Sequence, residues 1–242
     1  MIPRRIHYCW FGNSPKPPYF QRCLASWRRH FKGFEIVEWN ETNIALDHPF
    51  LIKAYNDKKW AFVSDYVRIK KLKELGGIYL DSDMYFIKSI PESILTSYTS
   101  FIGAQSKQLL NAAIIGSMPE SEFINRVYEF YHNLEYVNPY DITIPIMVTN
   151  LFPEVVRPIV SDQIHQWGIV FEPSVFYPLP HKLRSFHWNR FVTNRTMAVH
   201  LWAGSWMEID NHNILGIVKA KVKYTISKWY VPKSILEYAR NT

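Results

Sequence analysis

Cysteine is nearly absent from this sequence: of 242 residues only Cys9 and Cys23 carry a thiol. Two cysteines build neither a disulfide framework nor a cysteine-based zinc site, so an apolar core must hold the fold, and a reducing cytoplasm is the expected compartment. Long apolar runs are also missing. No stretch approaches the roughly 20 apolar residues that span a bilayer. The N-terminal run MIPRRIHYCWFGNSP is interrupted by His7 and stops within a few residues, unlike a signal peptide or an anchor. Any membrane association is therefore expected to be peripheral. There is no internal repeat and no low-complexity segment. Acidic residues are the scarcer charge, 21 against 28 Lys and Arg, and the net charge of +7 favours an anionic partner. Nucleic acid, a nucleotide or phospholipid headgroups would all satisfy that balance. Since no recognition motif accompanies it, nucleic acid is set aside and no nucleic-acid partner is expected.

What is present is length enough for one sizeable core, read as a single domain over 1–242, and an aromatic fraction of 16% that includes nine Trp and fifteen Tyr. Aromatic faces suit sugars, although most aromatics serve a core. The chain is organised around SDYVRIKKLKELGGIYLDSD, from Ser64 to Asp83. Ser64 reads as a helix N-cap with Asp65 in the first turn, and Ile69, Leu72 and Leu75 recur at helical spacing. Gly76 and Gly77 end that helix, and Ile78, Tyr79 and Leu80 form a short buried strand. Asp81 and Asp83 close it. In an extended chain the two point the same way, about 7 Å apart. Two unpaired carboxylates at a buried strand end repel each other, which a divalent metal would relieve; a solvated turn is the alternative.

The first ninety residues alternate strand and helix: a strand over 5–12, a helix from Tyr19 to Phe31, a strand from Phe34 to Trp39 and a helix near Leu51 to Asp57. The pattern predicts an α/β fold with a βαβ sheet covered on both faces, its ligand at the carboxyl ends of the strands. Trp10 stands there, either to stack on a base or to fill the core. Beyond Asp83 the residues MYFIKSI read as strand, as do Phe101 to Ala104, Ala112 to Gly116, Gly168 to Phe171, Val175 to Tyr177 and Met197 to Trp202. Helices are expected over Pro119 to Leu134 and Ile146 to Leu151. Asn111 is either a turn residue or a contact to diphosphate or metal. His200, beside the turn Ala203-Gly204-Ser205-Trp206, is either structural or a ligand of metal or diphosphate. The tail over 211–242 is a basic amphipathic segment, suited to an anionic membrane or to packing on the domain.

These blocks together, IPRRIHYCWFG, EIVEWN, WAFVSDYVRIKKLKELGGIYLDSDM, LNAAIIGS, FYP and HLWAGSW, resemble glycosyltransferase family 32, a group with a DXD motif and a GT-A fold. The resemblance implies a nucleotide-sugar-binding half over 1–90, an acceptor half with a C-terminal lid over 91–210, and the tail. It implies that Trp10 stacks on the donor base, that Ser64, Asp65 and Arg68 hold donor sugar and diphosphate, and that Tyr79, Asp81 and Asp83 form the strand-end group. Asp83 is then the direct ligand of Mn²⁺ or Mg²⁺, with Asp81 on ribose or metal. Asn111 lies near the donor, and His200, Ser205 and Trp206 close over metal and phosphates. Asp65, Arg68, Asp81 and Asp83 are the expected catalytic set. Arg68 would stabilise charge developing on the leaving diphosphate. The implied reaction is metal-dependent, retaining transfer of a hexose or N-acetylhexosamine from a UDP-sugar to a saccharide acceptor of capsular or other surface polysaccharide, at the inner face of the cell membrane if the acceptor is lipid-linked. A toxin-like protein glycosyltransferase and a non-catalytic nucleotide-sugar binder are the alternatives. The match thins over 136–195, where Ile144-Pro145 stands in place of a Gly-Pro pair.

Overall fold

The computed structural model of the protein describes residues 1–133 and 143–203. Its centre is a seven-stranded sheet of order β2-β1-β3-β6-β5-β8-β7. The strands are β1 (Arg5–Cys9), β2 (Glu35–Trp39), β3 (Gly77–Leu80), β5 (Ser100–Ala104), β6 (Leu110–Ser117), β7 (Gln163–His165) and β8 (Gly168–Phe171). A separate two-stranded ribbon pairs β4 (Met84–Phe86) with β9 (Ala198–His200). The sheet is mixed: β1 runs parallel to β2 and β3, and β5 parallel to β8, while β3–β6, β5–β6 and β7–β8 are antiparallel. The parallel β2-β1-β3 unit requires two crossovers. These are α1 (Pro18–His30) between β1 and β2, and α2 (Pro49–Asn56) with α3 (Trp60–Leu75) between β2 and β3.

Strand alternation divides the core in two. Ile6 and Tyr8 of β1, with Ile78 and Leu80 of β3, face α1, the short α4 (Glu92–Ser97), α7 (Pro173–Phe176) and the ribbon. Cys9 and Tyr79 face α2, α3, α5 (Glu122–His132) and α6 (Ile144–Leu151). The expected covering of both faces is observed. Trp27 of α1 and Leu72 of α3 are wholly buried on opposite faces. Truncating an aliphatic such as Leu72 to alanine costs about 2–5 kcal/mol.

Local sequence sets the ends. Pro18 opens α1, and Arg28, Arg29 and His30 sit in its last turn against the negative end of the helix. Gly76 caps α3 at φ 60° and Gly77 follows at φ 113°. A Cβ on Gly77 would lie 2.7 Å from the Arg5 carbonyl oxygen, so only glycine lets β3 enter beside β1.

Four expectations are corrected. α3 begins at Trp60, so Ser64 is inside the helix and is not its N-cap, and Asp65 is not in the first turn; Trp60, Phe62 and Val63 pack into the core and draw the helix start back to them. Asp81 and Asp83 do not continue an extended strand, because the Met84 N–H donates to the Asp81 carbonyl at 3.0 Å and turns the chain. The first strand stops at Cys9, short of Gly12. Val175 to Tyr177 belongs to the end of α7, where Pro173 supplies a first-turn residue and the Glu172 side chain accepts from the Ser174 N–H. The edge strand β7 was not foreseen; at three residues it is too short to show a period. Ser205, Trp206 and the tail over 211–242 lie outside the described residues.

Candidate active site

Trp10 follows β1 and Asp81 follows β3, so both stand at the carboxyl ends of neighbouring parallel strands, where open α/β sheets place ligands. Tyr79 and Asp81 point to one side, and the Tyr79 hydroxyl donates to Asp81 Oδ1 at 3.0 Å. The turn after Asp81 then carries Asp83 against the end of β9. There Asp83 Oδ1 meets His200 Nε2 at 3.1 Å, Oδ2 accepts from the Ala203 N–H at 2.8 Å, and the Asp83 carbonyl accepts from the Leu201 N–H at 3.0 Å. Each of Asp81, Asp83 and His200 offers a ligand atom within 4.8 Å of the others.

Burial pushes the Asp83 carboxyl up, but the charge and hydrogen bond of His200 and the Ala203 N–H outweigh it, and the net shift is downward. Burial pushes His200 down, while Asp83, by charge and hydrogen bond, lifts it above its ordinary value. The buried Nδ1 of His200 has no hydrogen-bond partner among the described residues. A half-buried and a buried carboxylate, with an imidazole whose second nitrogen has no partner among the described residues, form a donor set that fits a divalent cation.

Behind this group lies Arg68, 5% exposed. Its Nη2 reaches Asp65 Oδ1 at 2.8 Å and Asp81 Oδ1 at 3.2 Å, and its Nη1 donates to the Ala112 carbonyl at 2.9 Å. The guanidinium carbon stands 4.3 Å from the Tyr79 ring centre. The pairing of Asp65 with Arg68 follows from their spacing of three on α3. Burial raises the Asp65 carboxyl to about 6, with Arg68 opposing and Asp81 adding to the rise. Burial works against charge on Arg68, yet Asp81, Tyr79 and Asp65 together raise its pKa, so it is a permanent cation. This guanidinium is committed to holding two carboxylates from two elements.

The remaining expected residues take definite places. Trp10 is half-buried, its ring 5.6 Å from Phe20 and its Nε1 donating to the Ser14 carbonyl at 2.8 Å. Ser64 lies one helical turn before Arg68, and its carbonyl accepts from Arg68 Nε at 3.4 Å. Asn111 is buried inside β6, its amide nitrogen donating to Gln105 Oε1 at 2.5 Å and its Oδ1 accepting from the Ala113 N–H at 2.7 Å. The structure brings Asp65, Arg68, Tyr79, Asp81, Asp83 and His200 into one cluster, with Asn111 next to Ala112 at its back.

Two residues of this cluster were not singled out in the sequence. Tyr177 donates to the Asn111 carbonyl at 3.0 Å, and its ring lies 5.7 Å from that of His200; its place in the FYP block was the available signal. Cys9 is buried next to the Arg68 group, where burial, opposed by Arg68, pushes its thiol up to about 12. Its position, one before Trp10, was the only pointer.

Residues 17–101 match the family described as "Glycosyltransferase sugar-binding region containing DXD motif", and Asp81-Ser82-Asp83 is the motif at the heart of the cluster. Over these residues the chain is similar to the DXD glycosyltransferases. It is 24% identical over 203 residues to lactosylceramide 4-alpha-galactosyltransferase of Pongo pygmaeus, covering 76% of this chain and 83% of that one. It is 27% identical over 175 residues to alpha-1,4-N-acetylglucosaminyltransferase of Homo sapiens, covering 62% of this chain and 45% of that one. The chain spans about half the length of the human lactosylceramide 4-alpha-galactosyltransferase, 51%. Among solved structures, a glycosyltransferase involved in glycosylating the major capsid of PBCV-1 is similar with TM-score 0.46 and 15% identity, over 86% of this chain and 98% of that one. The expected α/β class is observed, with Asp81 and Asp83 beyond a parallel strand of the central sheet.

Proposed function

We propose that the chain transfers a hexose or N-acetylhexosamine from a nucleotide sugar, a UDP-sugar, to a saccharide acceptor, with a divalent cation held by Asp81, Asp83 and His200. The observation that carries the reading is the convergence of those three side chains within 4.8 Å at the end of β3, backed by the buried Asp65–Arg68 pair. Two carboxylates and one imidazole suit Mn²⁺ better than Mg²⁺, which favours an all-oxygen shell. A cation there lowers the charge of the leaving diphosphate.

The chain's own residues do the rest. Trp10 lies where a base reaching past β1 can stack. Asp65 accepts hydrogen bonds from donor sugar hydroxyls, oriented and kept anionic at neutral pH by Arg68. Arg68 holds Asp65 and Asp81 in place and adds positive charge behind the diphosphate. Ser64 and Asn111 line the donor side.

The relatives' names specify alpha linkages, which supports retention of configuration from an alpha-linked donor. The anomeric carbon–phosphate oxygen bond breaks as the acceptor oxygen bonds on the same face, and the departing phosphate takes the acceptor proton. Isolation of a glycosyl adduct on a side chain would overturn that route. The acceptor is a saccharide of capsular or other surface polysaccharide, lipid-linked in keeping with the glycolipid named in the first relative. Work at the inner face of the cell membrane follows, with the basic segment over 211–242 as the anionic-lipid contact; no helix among the described residues is long and apolar enough to cross a membrane.

The test is a panel of nucleotide sugars with Mn²⁺, scored by nucleoside diphosphate release for wild type and Asp83→Ala. Cation-dependent release from one donor, lost in the variant, is the expected result. Absence of cation-dependent release with every donor, or equal release by the variant, sinks the proposal.

A further inference from the structure

On the far side of the turn that carries Asp83, α1 and β4 leave a groove of about 350 Å³ between them, bounded on its third side by Trp188. Arg22, Ala25 and Arg29 follow one another at spacings of three and four on α1 and share one helix face. Ala25 is small, so the space between the two arginines stays open. Both arginines are exposed, and neither has an ion-pair partner among the described residues. Arg4, Arg5, Arg68, Arg126 and Arg195 all do. Among the described residues no carboxylate lines the groove. Its floor is aromatic, with the Tyr85 ring 5.5 Å from that of Trp188 and tilted by 44°.

Unpaired guanidinium groups lining one groove with aromatic rings constitute two recognition elements at once. A guanidinium presents a planar fork that matches a carboxylate or phosphate, and an aromatic face accepts the C–H side of a pyranose ring. We propose that this groove binds an anionic saccharide, a hexose unit bearing a carboxylate or phosphate, with Arg22 and Arg29 on the anion and Tyr85 and Trp188 on the ring. Tyr85 stands two residues beyond Asp83 in the same chain segment, which links the groove to the candidate cation cluster through β4. That placement fits an internal, charged unit of a polymeric acceptor. Assigning the saccharide to the acceptor rests on the transferase reading above; the binding itself does not.

The experiment is calorimetric titration of the full chain with a hyaluronan tetrasaccharide, which carries carboxylates, against the neutral chitotetraose. The expected result is binding of the anionic probe at least about tenfold tighter than the neutral one. It should be weakened at least about tenfold by Arg22→Gln with Arg29→Gln and about fivefold by Trp188→Ala, all exposed or half-buried positions whose circular dichroism should stay that of wild type. Saturating UDP with Mn²⁺ should leave the binding in place, and donor breakdown should be the same in the arginine variant and wild type, which separates failure of the groove from failure of the transferase reading. Absence of binding, equal binding of the neutral probe, equal binding by the arginine variant, displacement by UDP with Mn²⁺, or displacement by equimolar inorganic phosphate would each overturn the proposal.

Discussion

Replacing Arg68 by methionine removes the cation that sits between Asp65 and Asp81. The ion-pair separations are 2.8 and 3.2 Å, and at an effective dielectric constant of about 20 the gross attractions are about 6 and 5 kcal/mol. Desolvation of three charges cancels most of that sum, so the assembly contributes little net stability. Removal of the arginine alone is different, because it leaves the buried Asp65 and the half-buried Asp81 without the cation between them. The expected loss at pH 8 is about 3–5 kcal/mol. The loss must shrink on acidification: Asp65 already titrates at about 6, above the unfolded carboxylate range, and without Arg68 it rises further. A raised acid pKa favours the folded state at low pH and loses that advantage as pH climbs through the folded value. Urea unfolding at pH 8 and pH 5.5 measures both terms, and adding Asp65→Asn to Arg68→Met should restore at least half of the loss at pH 8. A loss below about 1 kcal/mol, or the same loss at both pH values, would refute the account of Arg68 as the holder of the Asp65 and Asp81 carboxylates.

Removing the imidazole in His200→Ala should weaken Mn²⁺ binding at least about tenfold in a titration followed by electron paramagnetic resonance; unchanged affinity would exclude His200 from the cation site. His7 is wholly buried, with Nε2 2.7 Å from the Gly76 carbonyl oxygen and Nδ1 accepting from Trp39 Nε1 at 3.0 Å. Burial lowers its pKa to about 4, with the Gly76 bond opposing. The sign follows: stability is fully present above the unfolded histidine value and falls as pH drops from about 6.5 to about 4, by about 3 kcal/mol in total. Comparing the pH dependence of unfolding with that of His7→Gln isolates this share, and parallel curves would exclude it. Gly77→Ala meets the Arg5 carbonyl oxygen and His7 at φ 113°, whereas Gly33→Ala, at φ 79°, meets nothing within 4 Å. Gly33→Ala should cost about 1 kcal/mol and Gly77→Ala more than twice that in melting temperature converted to stability; equal costs would mean the close approach at Gly77 is relieved by a small shift.

The pattern of particular residues shows why some of this was legible in the sequence. The alternation of Ile6 and Tyr8 with His7 and Cys9 announces a two-sided strand, and the helical spacing of Ile69 and Leu72 announces α3, because both periods are properties of the backbone. Asp65 and Arg68 could be placed on one face for the same reason. The start of α3 could not be placed from Ser64, since a serine is a good cap only where the chain entering it is not already helical, and Trp60 to Val63 are anchored in the core. The Val175 to Tyr177 segment, apolar and short, carries no period that separates strand from helix; Glu172 and Pro173 decided it. Asn111 reads as a turn residue ahead of a site contact, yet it lies within β6, where its side chain caps the strand's own backbone at Ala113.

By itself the sequence determined the α/β class, the helix and strand that lead from Ser64 to Asp83, and the pairing of Asp65 with Arg68 on one helix face, because these depend on residues close together in the chain. Only the tertiary structure decided that Arg68 serves Asp65 and Asp81 together, that His200 reaches Asp83 across 117 residues, and that Arg22 and Arg29 face Trp188 across an open groove. The physical reason is the same in each case. Local periodicity orients a side chain relative to its own element, whereas a site joins side chains from different elements, and their separations are set by how the sheet order and the two core layers pack.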